Sequence, residues 1–295
     1  MNVFITGASG LVGKNLIKKL DNCDNINKIF CLYRKLPEYI ISDKIVPIIG
    51  DVDTLSNISI KEPIHKAIHL IGYWKKENMK LLYKINVEGT KNFIAFCKKN
   101  HIKSIIYVSS INVKLINKGN YARTKLMAEK EIINSSINYI IMRPTLIYGN
   151  GDIGLSKLCK MIKRSCIIPV IGNGKALEQP IYVEEVAEYL KKAILDFQEN
   201  IIMPIAGKYP IEYDKMINII AAQINKKIRI IHLPIRLISF CVSIIEKLKV
   251  PFPINSEQIA HISEDLKVDN TEASCYYNVN LQSFEKNILN LDYLE

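Results

Sequence analysis

Short apolar runs alternate with longer stretches of helical periodicity through the first half of the chain. "NVFIT" (2–6), "KIFCLY" (28–33), "KIVPII" (44–49), "KAIHLI" (66–71), "SIIYVS" (104–109) and "NYIIMR" (138–143) are apolar almost throughout. Runs this short and this continuous predict strands covered on both faces, as in a parallel sheet. Between them, 10–20, 78–100 and 120–135 repeat their apolar positions at the three- and four-residue intervals of amphipathic helices. Strand–helix alternation of this kind predicts an α/β architecture built on a doubly wound parallel sheet.

Beyond "RPTLIYGNGD" (143–152) the pattern loosens. Residues 153–165 and 183–197 read as helices, "IIPVIGNGK" (167–175) carries a Gly-Asn-Gly turn, and 208–295 is helix-rich and irregular. The expected division is a first domain over 1–150 plus about 179–206, and a smaller helix-rich C-terminal part over about 151–178 plus 207–295. Residues 233–250 form the most apolar helix candidate, with Arg236, Ser239, Ser243 and Glu246 in one polar stripe. Its wide apolar face is assigned to packing in the core or between subunits.

Composition changes this picture little. Of 295 residues, 48% are apolar and 23% charged, ordinary proportions for a chain long enough to bury a large core. No apolar run reaches the ~18–20 residues that a bilayer-spanning helix requires, so no membrane span is expected. Met1 leads straight into "NVFITG" with no secretory signal pattern, and the seven cysteines show neither C-x-x-C nor regular spacing. The expectation is a cytoplasmic protein with reduced thiols and no metal. The net charge of +11 is spread along the chain, without a dense basic block or an aromatic RNA-binding signature. Nucleic acid is therefore not implied as a partner.

Chemistry enters with the opening "FITGASGLVG", a strand followed by Gly7-x-x-Gly10-x-x-Gly13 and a helix. Gly7 permits a tight turn, Gly10 lets backbone approach a pyrophosphate, and Gly13 lets the helix pack close to the strand. The helix then offers free N–H groups and its positive dipole to phosphates. Coming at the first strand of a parallel sheet, this loop predicts dinucleotide binding in a Rossmann-like fold. The second strand ends in "CLYRK", with Arg34 and Lys35 where a carboxylate would favour NAD. A guanidinium suits a 2′-phosphate, so NADP is the favoured cofactor and NAD the alternative.

In "NYARTKLMAEKEI" (120–132), Tyr121 and Lys125 are one turn apart on the same helical face. A free tyrosine titrates near ~10, and a neighbouring ammonium is expected to lower that value. The pair could then exchange a proton with a substrate oxygen. Ser110 ends the "YVSS" run, at the carboxyl end of a strand where such sheets bind ligands.

With these residues in place, the chain resembles the extended short-chain dehydrogenases/reductases, in particular the NAD-dependent epimerase/dehydratase family. The resemblance runs in order through "TGASGLVG", "GDVDTL" (50–55), "HLIG" (69–72), "INVEGTKNF" (85–93), "YVSS" (107–110), "YARTK", "MRPTLIYG" (142–149) and "QPIYVEEVA" (179–187). It implies that Ser9, Leu11 and Val12 join the three glycines at the phosphates, and that Asp51 and Val52 lie beside the adenine. Leu70, Ile71 and Gly72 would meet the ribose and nicotinamide end, Asn86 would organise the active-site side of the sheet, and Pro144 would flank the nicotinamide. Ser110, Tyr121 and Lys125 would be catalytic, Lys125 also holding the nicotinamide ribose. The implied activity is hydride transfer on a sugar nucleotide or similar hydroxyl or keto substrate, with the C-terminal part as substrate domain. A homodimer is possible by the same analogy.

The chain departs from that pattern in places. Ten residues separate Ser110 from Tyr121, where sugar-nucleotide epimerases have a longer loop, and "VKL" (113–115) replaces their "VYG". Ile111-Asn112 follow Ser110 in place of a dehydratase's acidic pair, which disfavours dehydration. Two alternatives follow: a non-catalytic NADP-binding scaffold of the atypical group, and a reductase of hydrophobic ketones. Tyr73 and Trp74 could line the substrate cleft; Lys160, Arg164 and Lys175 could meet a diphosphate; His69 is expected to shape the cofactor pocket. His65, His101, His232 and His261 are assigned surface or core roles.

Overall fold

"NVFIT" forms β1 (Asn2–Thr6), buried along its whole length because both faces of the strand are covered. The computed structural model describes residues 1–37, 42–74, 79–247, 264–265 and 267–294. Residues 248–250 of the predicted 233–250 helix, the side chain of Glu246 and His261 lie outside the described residues. After β1 come α1 (Leu11–Asp21), β2 (Lys28–Tyr33), β3 (Ile45–Ile49), β4 (Lys66–His69), α2 (Met79–Tyr83), α3 (Gly89–Lys99), β5 (Ser104–Val108), α4 (Asn120–Ile133) and β6 (Asn138–Pro144). The second half adds β7 (Ile147–Tyr148), α5 (Gly154–Arg164), β8 (Ile167–Ile171), β9 (Leu177–Glu178), β10 (Ile181–Tyr182) and α6 (Val183–Leu195). It continues with β11 (Ile201–Ile205), β12 (Ile211–Glu212), α7 (Tyr213–Gln223), β13 (Arg229–Leu233) and α8 (Ile235–Lys247). Short helices at Thr271–Tyr276 and Phe284–Asn287 follow.

The main sheet has seven parallel strands in the order β11-β6-β5-β4-β1-β2-β3. Six were legible as apolar runs; β11 is the addition, pairing with β6 from Ile201↔Ile140 to Ile205↔Pro144. Pro47 in β3 and Pro204 in β11 occupy the two outermost strands, where a missing N–H costs no central ladder bond. The strand order reverses at β1, which pairs with β2 on one side and β4 on the other. That reversal opens a crevice beyond the carboxyl ends of β1 and β4.

One face of the sheet packs on α1 and α6 through Leu16, Leu20, Val186 and Leu190; the other packs on α3 and α4 through Phe93, Phe96, Ala128 and Ile132. A third cluster gathers α5, β8, α7 and the segment around Phe284, as Leu155, Ile162, Ile168, Ile217 and Phe284. The expected helix over 78–100 is interrupted. Residues Lys84–Glu88 form a π turn between α2 and α3. Among the described residues no helix is long and apolar enough to cross a membrane.

Candidate active site

At Gly7 the chain takes φ +74°, a left-handed conformation that glycine adopts without strain. The Gly10 N–H donates to the Gly7 carbonyl at 3.0 Å, closing the turn into α1. A Cβ at Gly13 would stand 2.2 Å from the Gly7 carbonyl oxygen, so helix and loop close up only around glycine. No side chain caps the amino end of α1, which leaves its first-turn N–H groups and dipole available to an anion. The cradle fits the pyrophosphate of a nicotinamide dinucleotide in both room and charge.

A cavity of about 810 Å³ opens above the sheet. Gly7, Gly10, Leu11, Val12 and Gly13 line it from the β1 side, Leu70 and Gly72 from β4, and Pro144 from β6. Ser110, Tyr121 and Lys125 line it as well, so the three predicted catalytic side chains share one space with the glycine loop. The remaining predicted contacts lie outside the cavity lining. Ser9 and Arg34 are exposed, Asp51 is half-buried, and its carboxylate accepts the Val52 N–H at 2.6 Å. Val52 is buried against Gly89, and Ile71 packs into the core under β4.

Ser110 lies two residues beyond β5 and caps the short helical turn Ile111–Lys114, accepting the Asn112 N–H at 3.3 Å. Burial pushes the Tyr121 hydroxyl up to about 12, and the neighbouring Ser110 hydroxyl opposes the rise. Lys125 is 2% exposed; its Nζ donates to the Val108 carbonyl at 2.7 Å and sits 4.2 Å from the centre of the Tyr107 ring. Burial pulls its ammonium down to about 7, with Glu129, one turn further along α4, opposing the fall. The expected lowering of Tyr121 by an adjacent ammonium is therefore corrected. Desolvation raises the phenol and lowers the amine, and the amine's hydrogen bond goes to Val108.

Under this pair lies a polar layer with a single arrangement. Glu129 receives Nε and Nη2 of Arg143 at 2.9 and 2.6 Å. Asn86, in the π turn, accepts the Tyr73 N–H at 2.7 Å and donates to the Tyr73 carbonyl at 2.9 Å and to Thr124 Oγ1 at 3.0 Å. All its bonds hold protein, so Asn86 positions the Tyr73–Trp74 edge of the cavity from below. Trp74 lines the cavity. His69 joins Thr6 Oγ1 at 2.7 Å to Thr90 Oγ1 at 3.2 Å and stacks on Phe93; burial, followed by the Lys125 charge, pulls it down to about 3. It is a neutral structural link.

Sequence reasoning missed Thr124, Asp152 and Glu178, and took Ser110 over its neighbour Ser109 as the catalytic serine. Ser109 Oγ is buried on the cavity wall and has no hydrogen-bond partner among the described residues. Asp152 lines the cavity, but its carboxylate is engaged by the N–H groups of Gly149, Leu155 and Ser156 and by the Tyr293 hydroxyl. Of the basic residues weighed for a diphosphate, Lys175 borders a second cavity, while Lys160 and Arg164 are exposed and line neither. His65 accepts the Asn2 N–H at 2.9 Å, and His232 pairs with Asp214 at 2.7 Å. The cysteines are free, and no group of three or more His, Cys, Asp or Glu among the described residues is placed to hold a metal.

Comparison with known proteins agrees with this geometry. The sequence matches the NAD dependent epimerase/dehydratase family over residues 3–206, and the chain belongs to that family. It is accordingly an enzyme of the short-chain dehydrogenase/reductase superfamily. It is 26% identical to an N-acetyl-alpha-D-glucosaminyl-diphospho-ditrans,octacis-undecaprenol 4-epimerase of Escherichia coli O157:H7, across 84% of this chain and 80% of that protein. Among solved structures it resembles gox2253, with TM-score 0.79 and 15% identity over 98% of this chain and 96% of that one. It also resembles a UDP-glucuronic acid 4-epimerase from Bacillus cereus, in complex with UDP-glucuronic acid and NAD (TM-score 0.76, 16% identity, 99% of this chain and 98% of that one). These structural likenesses bear on the fold.

Proposed function

We propose that the protein is an NAD(P)-dependent oxidoreductase or epimerase that acts at a secondary hydroxyl or ketone of a sugar nucleotide or a comparable compound. The observation that carries this reading is that Ser110, Tyr121 and the buried Lys125 line the same cavity as the glycine loop. When bound, the nicotinamide gives or takes a hydride at its C4. Tyr121 holds its proton at neutral pH and donates it from Oη to a substrate carbonyl oxygen. In the opposite direction the phenolate left by that donation takes back the proton of a substrate hydroxyl. Ser110 donates a hydrogen bond to the same oxygen, steadying its developing charge. Lys125, anchored on Val108, fixes the α4 face from which Tyr121 projects and lines the same cavity, where its role would be to hold the nicotinamide ribose.

We assign NADP as the better cofactor, with NAD as the alternative. Arg34 and Lys35 are exposed directly after β2, where they suit a 2′-phosphate. The family is described as NAD dependent, and NAD is bound in several of the related structures. Relatives' names support a hydroxyl on a diphosphate-linked sugar, and others name a sterol carboxylate or ceramide.

The test is turnover of either cofactor over a panel running from UDP-glucose and UDP-glucuronic acid to a polyprenol diphosphosugar and a 3-hydroxysteroid. Both nicotinamide absorbance and isomer formation are measured. The expected result is turnover on one member, with kcat/KM higher for NADP. Silence across the panel with both cofactors would sink the reading; a clear NAD preference would overturn the role of Arg34.

A further inference from the structure

A second cavity, of about 910 Å³, lies beside the first, and Glu178 lines both. We propose that this second cavity holds an apolar carrier of the substrate, a lipid chain or ring system, and that Glu178 donates a hydrogen bond to an uncharged oxygen joining that carrier to the reacting end. The inference rests on the reading that the reacting hydroxyl sits at Tyr121; it adds what the rest of the substrate is.

Met161, Pro169, Val170, Ile171, Pro234 and Ile235 form the apolar wall of the second cavity, whose rim carries Asn173, Lys175, Tyr213, Arg236 and Asp265. That wall rewards burial of hydrocarbon at roughly 25 cal/mol per Å². Main-chain recognition of a base is weakened. Cys166 and Gly172 bond to β13 through Arg229 N–H to Cys166 O at 2.7 Å and Gly172 N–H to Leu233 O at 2.9 Å. Alternation along a strand therefore turns the main-chain groups of Ile167, Pro169 and Ile171 to the free edge of β8. Pro169 has no N–H, so the centre of that edge has no donor.

Charge argues the same way. Lys175 and Arg236 border the cavity, where Asp265 and the ionised share of Glu178 offset much of their charge and weaken the positive field a diphosphate would meet. At the junction, the Glu178 carboxyl receives no hydrogen bond from the described residues. Burial pushes it up to about 7, so a large share of it carries a proton at neutral pH. A protonated carboxyl donates to an ether, hydroxyl or carbonyl oxygen, whereas its ionised form repels phosphate. Past the mouth, Leu237 and Phe240 of α8 are 57% and 64% exposed and extend the apolar track outward from Arg236.

The test is equilibrium binding to the full chain, using a dansyl-labelled decanol as probe and UDP as competitor. Saturable probe binding that excess UDP leaves in place is the expected result. Displacement by UDP, or no probe binding, overturns the proposal. Ile235→Glu should weaken the probe at least ~10-fold, and Glu178→Arg should weaken it several-fold while creating UDP binding. Unchanged thermal midpoints certify both variants, and the wild-type competition stands without them. Tyr121→Phe should bind the probe as the wild type does. A failed hydride-transfer reading would appear as lost turnover with probe binding intact; a failed carrier proposal would appear as turnover of UDP-sugars without probe binding.

Discussion

Lys125 stacks under Tyr121 and above Glu129 on one face of α4, and Arg143 of β6 closes the column through its paired hydrogen bonds to Glu129. The lysine is the unusual member, because an amine 2% exposed has given up hydration for one carbonyl and one aromatic face. Its ammonium is pulled from 10.5 to about 7 in the folded chain, which fixes a sign. Below about 7 it is charged in both folded and unfolded chains, and the buried charge counts fully against the fold. Between about 7 and 10.5 the folded chain has released the proton and the unfolded chain still holds it, so this contribution to stability rises with pH. Urea unfolding of wild type and Lys125→Met at about pH 6 and about pH 9.5 should show the difference moving in favour of the wild type at the higher pH. A difference independent of pH would mean that the buried lysine does not titrate in this window.

At the scale of elements, the π turn Lys84–Glu88 and the glycine loop do the positioning. An extra residue in a helical turn rotates Asn86 toward Tyr73 and Thr124, giving the carboxamide three protein partners with Asn86 1% exposed. Asn86→Ala leaves the Tyr73 N–H without its acceptor and should destabilise the fold by about 1–3 kcal/mol. It should also raise KM more than it lowers kcat, because Trp74 loses its fixed edge while Tyr121 keeps Ser110. Calorimetry and steady-state kinetics check the two parts; a stable variant with unchanged KM would remove Asn86 from the account of the cavity. The glycine loop was readable because each glycine answers a distinct backbone demand. The π turn was not, since the apolar spacing over 78–100 stays close to helical across it.

Across the whole molecule, the seven-stranded sheet was visible in the sequence wherever strands are buried on both faces. Only β11 escaped, since "IIMPIAG" (201–207) lies beyond the regular strand–helix alternation of the first half; its Pro204, like Pro47 of β3, is harmless at the sheet edge. Ser110, Tyr121 and Lys125 were legible as spaced chemistry, and the fold brings them to one cavity. Thr124 and Glu178 were not, because their significance lies in contacts and cavities between segments distant in the chain. Nor could spacing foretell that burial would raise Tyr121 and lower Lys125 rather than produce a ready phenolate.

Proton transfer at Tyr121 is the step on which the functional reading depends, and Tyr121→Phe isolates it. The substitution removes one hydroxyl and leaves Lys125 on Val108 and the glycine loop untouched. On whichever substrate the panel identifies, kcat should fall by about 10²–10⁴-fold. The cofactor Kd, titrated on the same preparation, should stay within about two-fold of the wild type. A variant that turns over at the wild-type rate with normal cofactor affinity would contradict the Ser110–Tyr121–Lys125 mechanism.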